Sequence, residues 1–93
     1  MIVGLLSVEL HIPDSRSLKD KRMVLRSIKD RLRKFNVAVA EVEHQDLWQR
    51  AGLGIVTLAG STDTVERLLA EVADEIERAA PGVFARSQVE FLT

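Results

Sequence analysis

The sequence predicts an α+β fold, a ferredoxin-like β-α-β-β-α-β sandwich with an antiparallel four-stranded sheet and two helices on one face. Two observations lead there. Four segments carry the alternating or short apolar patterns of strands, and two carry apolar residues at threes and fours, as amphipathic helices do. One helix follows the first strand and the other follows the third. Each is then a crossover, and right-handed crossovers place both on the same side of the sheet.

The first strand runs from Ile2 to Ile12. Ile2, Gly4, Leu6, Val8, Leu10 and Ile12 share one face, read as core. Val3, Leu5, Ser7, Glu9 and His11 share the other, read as half exposed. Pro13, Asp14 and Ser15 break the strand. Ser17 opens the first helix as its cap, and Asp20 suits the positive helix start. Leu18, Leu25, Ile28, Leu32 and Phe35 form its buried stripe, and Asn36 is expected to end it in a left-handed conformation.

Val37 to His44 reads as the second strand, and Gln45 to Ala51 as a polar connection carrying Trp48 and Arg50. Leu53 to Ala59 is the third strand, apolar on both faces. Gly60 to Asp63 makes a turn and a helix start. Val65, Leu68, Leu69, Val72 and Ile76 give the second helix its stripe, and Pro81-Gly82 ends it. Gln88 to Leu92 is a short last strand. In this order the first two strands run parallel with the third between them. His11 and His44 then fall at one end of the sheet, beside the start of the first helix.

At 93 residues the chain makes one domain, residues 1–93, and its 46 % hydrophobic content suffices for a core. Aromatics are few (Phe35, Trp48, Phe84, Phe91), so Leu, Val, Ile and Ala must fill that core. The absence of cysteine excludes disulfides, thiol catalysis and Cys-based zinc sites. No apolar run nears the roughly 20 residues of a membrane span, and the interrupted N-terminal run does not read as a signal peptide. A cytoplasmic protein is expected.

Charge is unevenly placed. Between Arg16 and Lys34 stand nine basic residues and two acidic ones, a net +7 in a chain of net −1. Such asymmetry points to an anionic partner.

Val8-Glu9-Leu10-His11-Ile12-Pro13, Ser17 to Arg22, Asn36 to Val42 and above all His44-Gln45-Asp46-Leu47-Trp48-Gln49-Arg50-Ala51 resemble the YlxP-like family of small bacterial proteins. The resemblance covers roughly the first sixty residues, with Asp20 standing where the family often has Glu. It implies the fold and, through neighbouring translation-initiation and ribosome-maturation genes, work near RNA or the small ribosomal subunit. It carries over no catalytic residue.

Lys19, Arg22, Arg26, Lys29 and Arg33 recur at threes and fours on the first helix, as a stripe able to track phosphates. Equally open is a solvated face whose charges answer the acidic second helix (Asp63, Glu66, Glu71, Asp74, Glu75, Glu77). The uncovered sheet face has no aromatic on the first and third strands and can include Glu9, Glu41 and Glu43, which disfavours base stacking there. Val3 and Leu5 also lie on it, joined by either Leu53, Ile55 and Thr57 or Gly54, Val56 and Leu58. That makes it a candidate homodimer surface; a monomer with scattered apolar residues stands beside that reading.

His11, Asp14, Ser15, His44, Asp46, Trp48 and Arg50 should gather near the first helix start as an edge cluster fit for a small anion. The structural alternative has Trp48 burying its ring, Asp46 capping a turn, and Gln45 and Gln49 satisfying loop backbone. The histidine and carboxylate spacings match no common metal motif, the serines sit in no nucleophile elbow, and Gly52-x-Gly54 suggests packing or a bulge. The expected function is therefore non-enzymatic, without cofactor or metal. It is a binding module for structured RNA or the ribosome through the first helix; the alternative is a protein-interaction or homodimeric scaffold using the open sheet face.

Overall fold

Alternation along β1 (Ile2–His11) decides which side of the sheet becomes the core. The computed structural model describes residues 1–93. Leu6, Val8 and Leu10 are buried, with Ile12 just beyond the strand, while Ser7 and His11 between them reach solvent. The elements follow as α1 (Leu18–Leu32), β2 (Ala38–Glu43), β3 (Arg50–Ala59), α2 (Thr62–Ala79) and β4 (Phe84–Phe91). The sheet order is β2-β3-β1-β4, with every neighbouring pair antiparallel. The ferredoxin-like β-α-β-β-α-β sandwich is thus present.

Both helices close over the even-numbered residues of β1. Leu25, Ile28 and Leu32 of α1 and Val65, Leu69, Val72 and Ile76 of α2 join Leu53 and Ile55 in one core of fourteen buried hydrophobic residues. Ser17 Oγ caps α1 by accepting from Asp20 N at 3.0 Å, and Ser61 Oγ caps α2 by accepting from Thr64 N at 3.3 Å. Gly4 lets α2 come close, because a Cβ there would lie 2.4 Å from Val65 Cγ1.

Register resolves the third strand: Leu53, Ile55 and Thr57 pair with the core-facing residues of β1, so Gly54, Val56 and Leu58 line the open face. β3 begins at Arg50, earlier than its apolar run, because Arg50 to Gly52 continue the ladder opposite His11 to Glu9. β4 likewise begins at Phe84, where pairing with Leu10 substitutes for local propensity.

Two expectations are corrected. Asn36 is not left-handed, since the positive-φ residues are His44 and Gly82. α1 ends through Arg33, and the Asn36 carbonyl instead accepts from Thr57 Oγ1 at 2.7 Å. Glu41 does not share the open face with Glu9 and Glu43. The β2–β3 ladder slips so that Glu41 opposes Leu53 while Glu43 opposes Gly52. The extra residue, Val42, makes a bulge that sends Glu41 to the helix side. Gly52 accommodates it, since a Cβ at Gly52 would lie 2.8 Å from Glu43 Cβ.

The ends of the helices are joined by a buried carboxylate. Glu75 of α2 meets Arg31 Nη1 at 3.3 Å, Arg78 Nε at 3.5 Å and the Lys34 ammonium. The Lys34 hydrogen bond is the largest cause holding its pKa below the ordinary value, burial opposes it, and Arg31 and Arg78 add to the lowering. The unfolded chain therefore binds this proton more readily than the folded one. Stability from Glu75 is complete above its unfolded value of 4.5 and is lost as pH falls through the lower folded value. Urea unfolding should show Glu75→Gln less stable than the parent at neutral pH, with the gap narrowing towards about pH 3. A gap that is constant with pH would show that ionisation of Glu75 contributes nothing.

Candidate functional site

The stripe of α1 contains a charge. Leu18, Lys21, Leu25, Ile28 and Leu32 follow one another at threes and fours, and Lys21 occupies the one polar position. It is 1 % exposed, among the most deeply buried large side chains of the chain. Its ammonium donates to the carbonyls of His44 (2.9 Å), Gln45 (3.2 Å) and Arg50 (3.4 Å). Glu41 Oε2 stands 2.9 Å from it as the counter-charge. Three ammonium protons face four oxygens, which explains why Glu41 Oε2 has no well-aligned hydrogen bond despite the short ionic contact. The bulge at Val42 is what turns Glu41 towards Lys21.

This ammonium shapes the segment from His44 to Arg50. His44 takes a left-handed φ of +62°, and its carbonyl accepts from Leu47 N as well as from Lys21. Gln49 Nε2 donates to the Pro13 and Ser15 carbonyls at 3.1 and 3.2 Å, tying this loop to the one before α1. Gln49 thus has the backbone-satisfying part expected of it. Trp48 does not bury its ring: it is 53 % exposed, with Leu47 also exposed beside it. The loop is pinned by Lys21 and Gln49, so the tryptophan is free to face water.

The edge cluster is gathered in part. His11, Asp46, Trp48 and Arg50, with Leu47 and Gln49, line an open pocket of about 490 Å³. Asp14 and Ser15 stand apart from it; Ser15 is buried and donates to the Ser17 carbonyl. The α1 start is closed by its own side chains, Ser17 Oγ on Asp20 N and Asp20 Oδ2 on Arg16 N at 2.9 Å. That weakens the case for an anion there.

His44 turns away from the pocket and donates from Nε2 to Glu9 Oε1 at 2.9 Å, where Arg50 Nη2 also donates at 2.5 Å. Arg50 chiefly, and then His44, hold the Glu9 pKa low against the opposing effect of burial. Glu9, Glu43 and His44 offer three ligand atoms within 4.8 Å of one another. The Arg50 guanidinium already stands against Glu9, so an internal cation serves the carboxylate that a metal ion would need.

On the outer side of α1, Lys19, Arg22, Arg26, Lys29 and Arg33 are all exposed. Arg33 pairs only with exposed Asp30, at 3.3 Å. Lys19, Arg22, Arg26 and Lys29 form no ion pair. The acidic second helix is answered instead by Arg31 and Lys34, through Glu75. The four unpaired stripe residues, Lys19, Arg22, Arg26 and Lys29, therefore remain available to an outside anion. Lys21 was not among the expected site residues. Its signal was the missing apolar residue between Leu18 and Leu25.

These features define a small ferredoxin-like α+β domain with one cationic helix and a pinned tryptophan loop. The chain belongs to the family described as "Protein of unknown function (DUF503)", whose model matches residues 3–89. It is similar to the uncharacterized protein YlxP of Bacillus subtilis (strain 168), with 40 % identity over 72 residues, 76 % of this chain and 78 % of that one. Solved structures of like shape include the de novo designed protein Foldit4, with TM-score 0.55, 15 % identity, and 99 % and 96 % of the two chains covered. The de novo designed LFR1 1, described as having a ferredoxin fold, gives TM-score 0.55 at 14 % identity over 100 % of this chain and 87 % of that one. At3g17210 from Arabidopsis thaliana gives 0.53 at 13 %, covering 100 % and 94 %. At such identities the likeness is one of fold alone.

The Lys21 clamp makes a specific expectation. Lys21→Met removes one partner of a buried charge pair and strands Glu41, at a cost of about 3–5 kcal/mol in urea unfolding. Trp48 fluorescence anisotropy should fall as the loop loosens. A loss below about 1 kcal/mol, the range of exposed pairs, would mean the ammonium does not clamp the loop.

Proposed function

We propose that this protein is a non-enzymatic binding module for structured RNA, free or within the ribosome, and that α1 makes the contact. The observation that carries this is the row of exposed, unpaired Lys19, Arg22, Arg26 and Lys29 on a chain whose net charge is −1. Cations at helical spacing can follow a phosphate backbone, and the arginines can hold phosphates bidentately. The buried Lys21 ties the loop to the first turns of the same helix, so exposed Trp48 offers an aromatic surface for an unpaired base near that end. A cytoplasmic site of action accords with this function. No helix of the chain is long and apolar enough to cross a membrane.

Co-sedimentation with ribosomal subunits across a salt series tests the proposal. Four phosphate contacts predict that affinity falls roughly a hundredfold between 50 and 200 mM salt. The combined Arg22→Glu, Arg26→Glu and Lys29→Glu variant should fold normally by circular dichroism and lose association. Unchanged association of that variant would overturn the assignment to α1.

A second function, protein docking or self-association through the open sheet face, is favoured by a different observation. Val42 and Leu58 are exposed there, over half-buried Leu5 and Val56. For association made through this face, as distinct from a strand edge, Leu58→Asp should abolish it in light scattering, and salt should matter little. Association that survives Leu58→Asp would remove this face from consideration.

A further inference from the structure

β4 is an edge strand with an unusual charge arrangement. Its neighbour β1 occupies one side, and no strand covers the other. Leu92 N donates to the Val3 carbonyl at 2.8 Å. By antiparallel alternation, Arg86, Gln88 and Glu90 then direct their backbone groups to β1, while Ser87, Val89 and Phe91 direct theirs outward. This stretch has no proline, no lysine and no bulge beyond Ala85, and its only charges are Arg86 and Glu90. Val89 and Phe91 are exposed, and with Leu69, Ala70 and Ala73 of α2 they line an apolar groove of about 370 Å³.

We propose that β4 pairs antiparallel with β4 of a second copy of this chain, about a two-fold axis through Gln88, to give a continuous eight-stranded sheet. The charges select this register. Arg86 and Glu90 stand two residues either side of Gln88 on the open face, and neither forms an ion pair within the chain. The two-fold sets Arg86 of each copy opposite Glu90 of the other, twice by symmetry. Those positions are non-hydrogen-bonded pairs, where facing side chains approach most closely. The outward backbone groups of Ser87 and Val89 meet their counterparts, and the apolar groove is closed by the second copy's Val89 and Phe91. The other edge offers no such match: β2 is six residues long, is broken by the Val42 bulge, and bears Glu41 and Glu43. This seat for a second copy leaves the open sheet face and α1 uncovered.

Sedimentation velocity of the full chain over a concentration series, with charge variants, tests the proposal. The parent should approach twice its 10.4 kDa mass. Arg86→Glu or Glu90→Arg alone sets like charges opposite each other and should raise the dimer dissociation constant about tenfold or more. The double swap Arg86→Glu with Glu90→Arg should restore it. Val89→Lys should dissociate the dimer from the helix side, and Leu58→Asp should leave it intact. Amide exchange on the parent gives a measurement free of substitutions: Ser87, Val89 and Phe91 amides should gain protection as the dimer forms. A parent that stays monomeric at every concentration, a swap that fails to restore pairing, or a dimer broken by Leu58→Asp but not by Val89→Lys would each overturn it.

Discussion

The buried ammonium of Lys21 constrains more of this molecule than any other single group. A dehydrated charge costs several kcal/mol unless nearby oxygens replace its water. Here they come from Glu41 on β2, from the carbonyls of His44 and Gln45, and from Arg50 at the start of β3. Three stretches of chain must therefore converge on the first turns of α1. The bulge at Val42, the left-handed His44 and the extension of β3 back to Arg50 are consistent with one requirement: oxygen atoms have to reach one nitrogen. The outward position of Trp48 belongs to the same arrangement, because polar groups, not the ring, hold its loop.

A second buried charge of opposite sign acts at the far end of α1. Glu75 draws in Arg31 and Lys34, and in doing so sorts the cations of α1. Those that reach Glu75 are neutralised within the fold; those further round the helix are left to solvent. Net charge alone conceals this division. A chain of net −1 can present a strongly cationic helix because much of its acidic complement lies elsewhere, on α2, β2 and the loop. Screening by salt affects the exposed set far more than the buried pair, and this gives phosphate contact a clear experimental signature.

The proposed contact surfaces are consequently separate. α1 and the tryptophan loop offer positive charge and an aromatic ring. The open face offers small and aliphatic residues around Gly52 and Gly54, while the β4 edge offers unpaired backbone groups flanked by self-complementary charges. A module of this size can engage one partner with the helix while a second copy joins its edge, since neither surface overlaps the other.

Patterning alone determined the element order, the core face of β1, the cap at Ser17 and a helix start within Gly60 to Asp63, because side-chain period and terminal hydrogen bonding are local properties. It also located the basic stripe, whose residues are exposed because they lie beside the apolar one and off the buried face. The glycine pair in β3 signalled close packing or a bulge, without saying which of the two or which strand carried it. Tertiary structure alone decided that Glu41 faces inward, that Trp48 faces outward, and that Lys21 is core, not surface. A register slip of one residue reverses a side chain, and no local pattern in β2 records it. A lysine at a stripe position reads as one more surface charge until the oxygens that will surround it are known. Those oxygens lie 20 to 29 residues away along the chain, and only folding brings them together.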